Sequence, residues 1–320
     1  MEKRRLGKTN LQVGVLGFGG SEIGLEKVDF SVVDRLLNTA LDNDLNVIDT
    51  AECYGISEEL IGKAVSHRRS DYFLFTKCGH ASGLPFEDFD KTLIEVSVDR
   101  SLKRLNTEYI DVVHLHGASK EIIDNGELLE ELTKLKNKGK VRFVGYSGDG
   151  YDALHAVKSN YFDTLQTSLN IADQEAIELI MPAVKKLDIG VIAKRPIANA
   201  AWKDGNRIRS KYERQMSIAK RTNNQNILSM GKPTKLTYLE RLEKLNYDFL
   251  NQENDKQIAE YALRFTLTVP DVHIAIIGTK KPERWMENLG YLNGPLPEVV
   301  YNKIRAQWIE KSEVNWSGMN

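Results

Sequence analysis

Short apolar runs rich in β-branched residues alternate with helical patterns along nearly the whole chain. The runs include NVIDT, YFLFTK, YIDVVHLH and VRFVGYS, and each is followed by apolar residues at spacings of three and four. In DFSVVDRLLNTALDND, these positions are Val33, Leu36, Leu37, Ala40 and Leu41. A short apolar run between turn residues predicts a strand, and the wider spacing predicts an amphipathic helix.

Eight such strand and helix units predict a closed (β/α)8 TIM barrel of the α/β class. The first strand is VGVLGFGG, and the later ones include FDTLQTS, IGVIAK and HIAIIGT. Before the first strand, RRLGKTNLQV predicts a β-hairpin with its turn at residues 7–10. The competing architecture is a doubly wound open sheet, which is disfavoured because GFGGSEIG lacks the GxGxxG spacing.

One connection interrupts this alternation. Residues 195–254 separate the seventh predicted strand, IGVIAK, from the helical pattern DKQIAEYALRF, a distance far beyond the usual connection in such barrels. Two interpretations stay open: a solvated insertion with a helix such as YLERLEKLNYDFL, or a lid at the rim over an anionic cofactor. Its first half is basic and aromatic, with Trp202, Lys203, Arg207, Arg209, Lys211, Tyr212 and Arg214.

Composition narrows the classes of partner. A chain of 320 residues fits one barrel domain, so we expect residues 1–320 to form a single domain. A net charge of -1 gives no general attraction to nucleic acid or to an anionic membrane. We expect neither a secretory signal nor a membrane span, and the two cysteines argue against a disulfide framework. A cytoplasmic protein with a small-molecule partner is therefore predicted, and the oligomeric state is left open.

Polar residues close three consecutive predicted strands. Asp49 and Tyr54 follow the second strand, Lys77 ends the third and His116 ends the fourth. The carboxyl ends of barrel strands meet at one rim, where barrel enzymes build their active sites. We therefore expect these four side chains to lie together.

Their chemistry suits the reduction of a carbonyl by hydride transfer. Tyr54 would protonate the oxygen on which charge develops. A Lys77 ammonium about 4 Å away contributes roughly 4 kcal/mol at a dielectric of about 20, enough to lower the tyrosine pKa by up to about three units. Asp49 would keep Lys77 charged, and His116 would orient the carbonyl.

Two histidines share one face of the fourth strand. His114 and His116 are two residues apart, so both point to the same side. His116 is nearer the carboxyl end, which substrate reaches, and it is the preferred candidate. For His114 we expect a packed position with local hydrogen bonds.

The four residues in this order resemble the Asp, Tyr, Lys, His tetrad of the aldo-keto reductases. IDTAECYG followed by SEELIG is similar to the family pattern, and the resemblance covers almost the entire chain. It implies an NADP(H)-dependent oxidoreductase that reduces an aldehyde or ketone, with Tyr54 as the general acid. One alternative is an NADPH-binding regulatory protein of the channel-subunit type with little turnover. Another is a barrel isomerase or aldolase that uses Lys77 as a Schiff base.

The resemblance also implies a set of cofactor contacts. Ser147 and Gln166 match the positions that hold the nicotinamide carboxamide, although Gly148 stands where the family usually has Asn. Lys194 and Arg195 replace an aromatic residue and a serine, so they would contact the pyrophosphate or cover the nicotinamide. The alternative is that one of them only forms an ion pair at the rim. The complete set is Gly20, Asp49, Ser147, Gln166, Lys194, Arg195, Pro196, Ile197, Gly278, Thr279, Lys280, Arg284, Glu287 and Asn288.

The last predicted strand and helix carry the preference for NADP over NAD. HIAIIGTKKPERWMENLG resembles the family's adenosine phosphate site, with Thr279, Lys280 and Arg284 on the 2'-phosphate. Glu287 and Asn288 match positions that contact adenine. The alternative is an ordinary helix N-terminus with proline in its first turn.

The cysteines Cys53 and Cys78 flank the candidate tyrosine and lysine, and His80 is close by. Two thiols and one histidine have no recognisable metal-ligand spacing, so no metal site is predicted and ordinary buried thiols are favoured over a redox switch. Trp308 and Trp316 in the last segment either line the substrate pocket or pin the tail to the barrel. The identity of the carbonyl substrate is left open.

Overall fold

Eight parallel strands close into a barrel in the computed structural model, which describes residues 1–203, 236–314, 316 and 318. The last barrel strand pairs with the first, with Ala275 opposite Leu16 and Gly278 opposite Gly19, so no edge is left open. The predicted (β/α)8 architecture is confirmed. The strands are β1 (Lys3–Arg5) and β2 (Gln12–Gly14) in the hairpin, then β3 (Leu16–Gly19), β4 (Val47–Asp49), β5 (Phe73–Cys78), β6 (Ile110–His116), β7 (Val141–Ser147), β8 (Thr164–Ser168), β9 (Gly190–Lys194) and β10 (Ile274–Gly278) in the barrel.

Helices follow the barrel strands as the apolar spacing predicts. The segment QEAIELIMPAVKKLD forms two short helices instead of one continuous pattern, because Pro182 lacks the N–H that a helix interior needs and lies in the first turn of the second helix. The helices span Ser21–Leu25, Phe30–Asp42, Ser57–Val65, Lys91–Leu105, Lys120–Asn125, Glu127–Asn137, Gly150–Lys158, Glu175–Leu179, Met181–Leu187, Tyr238–Leu245, Asp248–Gln252, Asp255–Thr268, Pro282–Gly290 and Glu298–Lys311, with 3-10 turns at Gly7–Thr9, Ser66–Asp71 and Ala198–Ala200.

The hairpin of β1 and β2 covers the amino end of the barrel. Leu6, Leu11 and Val13 are buried there and pack against apolar side chains that point into the barrel from the strands. Those inward side chains are Val47, Phe75, Val112, Ile192, Ile274 and Ile276. Because this end is filled by side chains, the carboxyl rim is the end that is left for chemistry.

The long connection after β9 carries helices in its second half. Tyr238–Leu245 begins with a capping box between Thr237 and Glu240, and Asp248–Gln252 follows it. The basic and aromatic candidates Arg207, Arg209, Lys211, Tyr212 and Arg214 lie outside the described residues, so the lid interpretation stays a prediction. In the described part of the chain, no helix is long and apolar enough to cross a membrane.

Candidate active site

Lys77 and Asp49 form a buried ion pair at the carboxyl rim. The Lys77 Nζ donates to Asp49 Oδ2 at 2.7 Å and to the Thr50 carbonyl oxygen at 2.8 Å. Burial lowers the pKa of Lys77, but the Asp49 carboxylate more than offsets this, so the pKa lies above its ordinary value. The ammonium therefore stays charged inside the protein.

Tyr54 lies beside this pair, with Lys77 Nζ 5.0 Å from the centroid of its ring. Burial raises the pKa of Tyr54, and the nearby Lys77 charge opposes that rise without cancelling it. The expected lowering of the tyrosine pKa is therefore wrong for this structure. The cost of burying a phenolate outweighs the Coulomb attraction to Lys77, so Tyr54 keeps its proton.

His116 completes the group. Its ring centroid lies 6.2 Å from that of Tyr54, with the two planes nearly perpendicular at 84°. Burial lowers the pKa of His116 well below its ordinary value, and the Lys77 charge adds to the effect. A neutral imidazole at this point can donate one N–H to a carbonyl oxygen without carrying charge.

His114 occupies the packed position that the sequence predicts for it. It is fully buried, its Nε2 lies 3.1 Å from Thr164 Oγ1, and burial lowers its pKa to about 3. It therefore belongs to the barrel interior and leaves the rim to His116.

One of the expected nicotinamide contacts, Gln166, touches a catalytic candidate directly, and Ser147 touches Gln166. Gln166 Nε2 donates to Asp49 Oδ1 at 3.0 Å, and Ser147 Oγ donates to Gln166 Oε1 at 3.1 Å. A Cβ on Gly148 would lie 2.6 Å from the ring of Tyr146, so this position cannot take a larger side chain without movement. The departure from the family's Asn thus has a local packing reason.

Lys194 pairs with Asp149, a residue that was not among the sequence candidates. Lys194 Nζ lies 3.0 Å from Asp149 Oδ2, and Arg195 Nη1 donates to Ser168 Oγ at 3.0 Å. Asp149 also accepts a hydrogen bond from the backbone N–H of Ser168 at 2.6 Å. Lys194 therefore forms an ion pair at the rim, which was the alternative to a cofactor contact. No residue spacing in the sequence marks Asp149 as the partner of Lys194, because the two residues lie at the ends of different strands, β7 and β9.

The loop after β9 contains backbone in the left-handed region. Arg195 has a φ of 58°, and Ala198, Asn199 and Ala200 follow with φ of 46°, 54° and 50°. For residues with a Cβ this conformation costs roughly 1–2 kcal/mol each, and such strain is concentrated at ligand sites. Pro196 and Ile197 lie within this loop. The backbone N–H groups of Ala198 and Ala200 donate to the carbonyl oxygens of Arg195 and Ile197 at 2.9 and 2.8 Å, which holds the loop in this conformation.

The ends of β10 and β3 bring small residues together at the rim. Gly278 closes β10, and Gly20 follows β3 with its backbone N–H donating to the Asp49 carbonyl oxygen at 2.8 Å. Thr279 comes next and is buried, just ahead of the helix Pro282–Gly290. That helix begins with Pro282 and has no side-chain cap, and the Arg284 N–H of its first turn donates to the Lys281 carbonyl oxygen at 3.0 Å.

The charged candidates on this side are paired with acids. Lys280 forms an ion pair with Glu26, and Arg284 Nη1 lies 2.8 Å from Glu287 Oε2. Asn288 is buried, and among the described residues its Nδ2 has no hydrogen-bond partner. Arg284, Glu287 and Asn288 thus lie on one helix, which begins shortly after Thr279 and Lys280 in the chain.

Both cysteines are free thiols. Cys78 is buried, and Cys53 Sγ lies 3.6 Å from His116 Nδ1. Burial raises the pKa of Cys53 to about 11, so the thiol keeps its proton. Within the described ranges, no group of three or more His, Cys, Asp or Glu side chains is placed to hold a metal ion.

The sequence model of the Aldo/keto reductase family matches residues 11–309. The chain belongs to this family. It is 29% identical over 302 residues to the uncharacterized oxidoreductase YqkF of Bacillus subtilis, with 92% of each protein covered. It also matches the solved aldo-keto reductase AKR11C1 from Bacillus halodurans at 26% identity, 96% coverage of both chains and a TM-score of 0.74. An aldo/keto reductase from Klebsiella pneumoniae, solved in complex with NADP and acetate, shares the fold at 22% identity and a TM-score of 0.74, covering 100% of this chain and 99% of its own.

The family match confirms the resemblance of this aldo/keto reductase to its family, and the solved structure of AKR11C1 confirms the predicted fold. Its tetrad candidates lie together at the carboxyl rim, as expected from the strand ends. At positions 194 and 195, where the resemblance implies an aromatic residue and a serine, this chain has Lys194 and Arg195.

Proposed function

We propose that this aldo/keto reductase is an NADP-dependent oxidoreductase that reduces a small aldehyde or ketone to an alcohol, with Tyr54 as the general acid. The observation that carries the proposal is the buried Lys77–Asp49 pair at 2.7 Å, with the Lys77 Nζ 5.0 Å from the Tyr54 ring. The same site allows the reverse oxidation. Composition supports a cytoplasmic setting.

The proton chemistry follows from these contacts. Hydride transfer to a carbonyl carbon leaves negative charge on the oxygen, and a positioned acid contributes about 10²–10⁴-fold to such a step. Tyr54 holds its proton until the oxygen takes it. The phenolate that results is stabilised by the Lys77 charge, which Asp49 keeps in place. His116 supplies a neutral N–H to the same oxygen.

NADP(H) supplies the hydride when bound, and this chain has residues suited to each end of it. Ser147 and Gln166 would hold the carboxamide, and the left-handed loop at 195–200 would face the pyrophosphate. Lys194 and Arg195 lie at the start of this loop, where they would add positive charge.

The adenosine end also fits. Lys280 and Arg284 would exchange carboxylate partners for the 2'-phosphate beside Thr279, and Asn288 has an unused buried donor among the described residues. Glu287 would then turn to the adenine. The NADP complex of the K. pneumoniae protein of the same fold supports this choice.

Fluorescence titration with NADPH and NADH, followed by steady-state reduction of a panel of aldehydes, ketones and sugars, tests the proposal. We expect NADPH to bind at least about tenfold more tightly, as a charge-assisted contact to the phosphate implies. We also expect NADPH oxidation with at least one carbonyl. Equal affinities would contradict the cofactor choice. Tight binding without oxidation by any carbonyl would contradict the enzyme and favour a sensor.

A further inference from the structure

Each reduction consumes one proton, which has to reach Tyr54 from solvent. The inner side of the site is closed to water, because the side chains of Lys77 and Asp49 are only 1% and 6% exposed and are bonded to each other. Lys77 also gives a hydrogen bond to the Thr50 carbonyl oxygen. A proton that enters from this side would have to break a buried ion pair, which is costly.

The outer side holds a row of rings instead. The His80 ring centroid lies 5.1 Å from that of His116, and the His116 centroid lies 6.2 Å from that of Tyr54, with each pair edge-on. The side chain of His80 is 36% exposed, so the outer end of the row meets water. Histidine is the side chain best suited to exchange protons with water near neutral pH.

His80 is held in this row by its own loop. Its Nδ1 lies 3.0 Å from Asp88 Oδ2, and Asp88 Oδ1 accepts a hydrogen bond from the backbone N–H of Ala81 at 2.8 Å. The ring of Phe89 also packs against His80, at a centroid distance of 5.4 Å. A carboxylate on one imidazole nitrogen fixes the ring and its proton, as in other histidines that act on protons.

This loop folds back on itself tightly enough to keep the ring in place. Gly79 has a φ of 120°, and a Cβ there would lie 2.8 Å from the Phe89 ring. The backbone N–H of Phe89 donates to the Gly79 carbonyl oxygen at 2.7 Å. The position of His80 beside His116 is therefore built into the loop.

We propose that His80, held by Asp88, is the entry point for the proton that restores Tyr54 after each reduction, and that His116 passes this proton inward. The step rests on the proposed reductase function. Tyr54 is left as a phenolate when its proton goes to the carbonyl oxygen. His116 gives the phenolate the proton on one ring nitrogen while the imidazolium of His80 gives a proton to the other nitrogen. His80 then takes a proton from water, so one solvent proton is used for each hydride.

The surroundings of His116 favour a concerted transfer, in which His116 gives up one proton as it takes another and does not become an imidazolium. Burial most of all, and then the positive charges of Lys77 and Lys194 and the rings of His80 and His114, disfavour an imidazolium there. The partner of His116 Nδ1 is the Cys53 sulfur at 3.6 Å, a weak hydrogen-bonding group that a stronger donor displaces.

Stopped-flow kinetics of NADPH oxidation, with 4-nitrobenzaldehyde as the model aldehyde, tests the route in wild type, His80→Ala and His80→Gln. The glutamine variant keeps a polar side chain beside Asp88 but cannot carry a proton. In both variants we expect the first turnover at the wild-type rate, because Tyr54 starts with its proton. The steady-state kcat should then fall about tenfold with KM unchanged, within the range of single proton-transfer groups.

Rescue of the kcat by added imidazole distinguishes a proton-transfer role of His80 from a structural one. Imidazole should restore the kcat of His80→Ala and have no effect on His67→Asn, an exposed histidine variant used as the matched control. An unchanged kcat in both His80 variants, a loss already present in the first turnover, or a loss that imidazole does not restore would each overturn the route. A wild-type protein that oxidises no NADPH with 4-nitrobenzaldehyde or with any carbonyl of the panel would instead contradict the reductase function itself.

Discussion

Lys77 keeps its charge in a place where an isolated ammonium would lose it. The Asp49 carboxylate raises the pKa of Lys77 against the effect of burial. A Schiff-base lysine has to be neutral before it can attack a carbonyl. The pairing therefore argues against the aldolase or isomerase alternative and for an electrostatic role beside Tyr54.

Removal of the lysine charge should destabilise the fold as well as abolish turnover. Lys77→Met leaves the Asp49 carboxylate buried without its partner, and we expect the free energy of unfolding to fall by about 3–5 kcal/mol. The double variant Asp49→Asn with Lys77→Met should regain part of this stability but no activity. Urea denaturation measures both, with the exposed Lys158→Met as control. A double variant as unstable as Lys77→Met would contradict the account.

His114 should make the protein sensitive to acid. Its pKa is lowered from 6.5 to about 3 in the folded protein, so below pH 6.5 the unfolded chain binds a proton that the folded one does not. Stability from this group is full above that pH and is lost as the pH falls toward 3, at up to about 1.4 kcal/mol per pH unit. In His114→Gln, the free energy of unfolding should fall less steeply with decreasing pH, by the slope that one proton contributes. Urea unfolding at several pH values between about 6 and 4 measures this slope. Identical slopes would refute it.

The helix Pro282–Gly290 places the residues that would choose between the two nicotinamide cofactors. Arg284 and Glu287 lie one turn apart and pair with each other, and Asn288 follows with its buried amide. A phosphate at the start of this helix would replace the Glu287 carboxylate as the partner of Arg284.

Arg284→Ala should therefore weaken NADPH binding and leave NADH binding unchanged. Loss of a charge-assisted hydrogen bond to a phosphate is worth about 1.5–3 kcal/mol, which corresponds to about tenfold or more in affinity. Fluorescence titration with both cofactors measures the difference, and NADH serves as the internal control. An equal loss for both cofactors would show that Arg284 has a structural role only.

The packing that stabilises the barrel at its amino end is separate in space from the candidate catalytic residues at its carboxyl rim. The hairpin side chains Leu6 and Val13 are buried at the amino end, whereas the tetrad candidates lie at the carboxyl rim. Packing changes at one end should therefore leave the other end unaffected, provided that the protein stays folded.

Leu6→Ala is the test of this separation. We expect it to lower the free energy of unfolding by about 2–5 kcal/mol, because it removes a fully buried side chain from the barrel interior. The kcat/KM for a carbonyl substrate should stay at the wild-type value at 25 °C. The exposed Val299→Ala is the matched control and should change neither quantity. A reduced kcat/KM in folded Leu6→Ala would show that the two ends are coupled.

The order of strands, the hairpin and the meeting of Asp49, Tyr54, Lys77 and His116 were predictable, because periodicity places them and the barrel brings strand ends together. The Asp149 partner of Lys194 was not predictable. Such contacts join loops that are distant in sequence, and no residue spacing encodes them. The direction of the Tyr54 pKa was missed for a similar reason, since burial depends on all the surrounding side chains.

The role of Tyr54 as the general acid is tested most directly by Tyr54→Phe, with NADPH titration and single-turnover reduction measured on the same preparation. We expect the variant to bind NADPH within about twofold of wild type and to lose at least about 100-fold in the rate of NADPH oxidation, because the barrel and the cofactor residues are intact while the proton donor is gone. Wild-type turnover by Tyr54→Phe would contradict the proposed acid and the mechanism built on it.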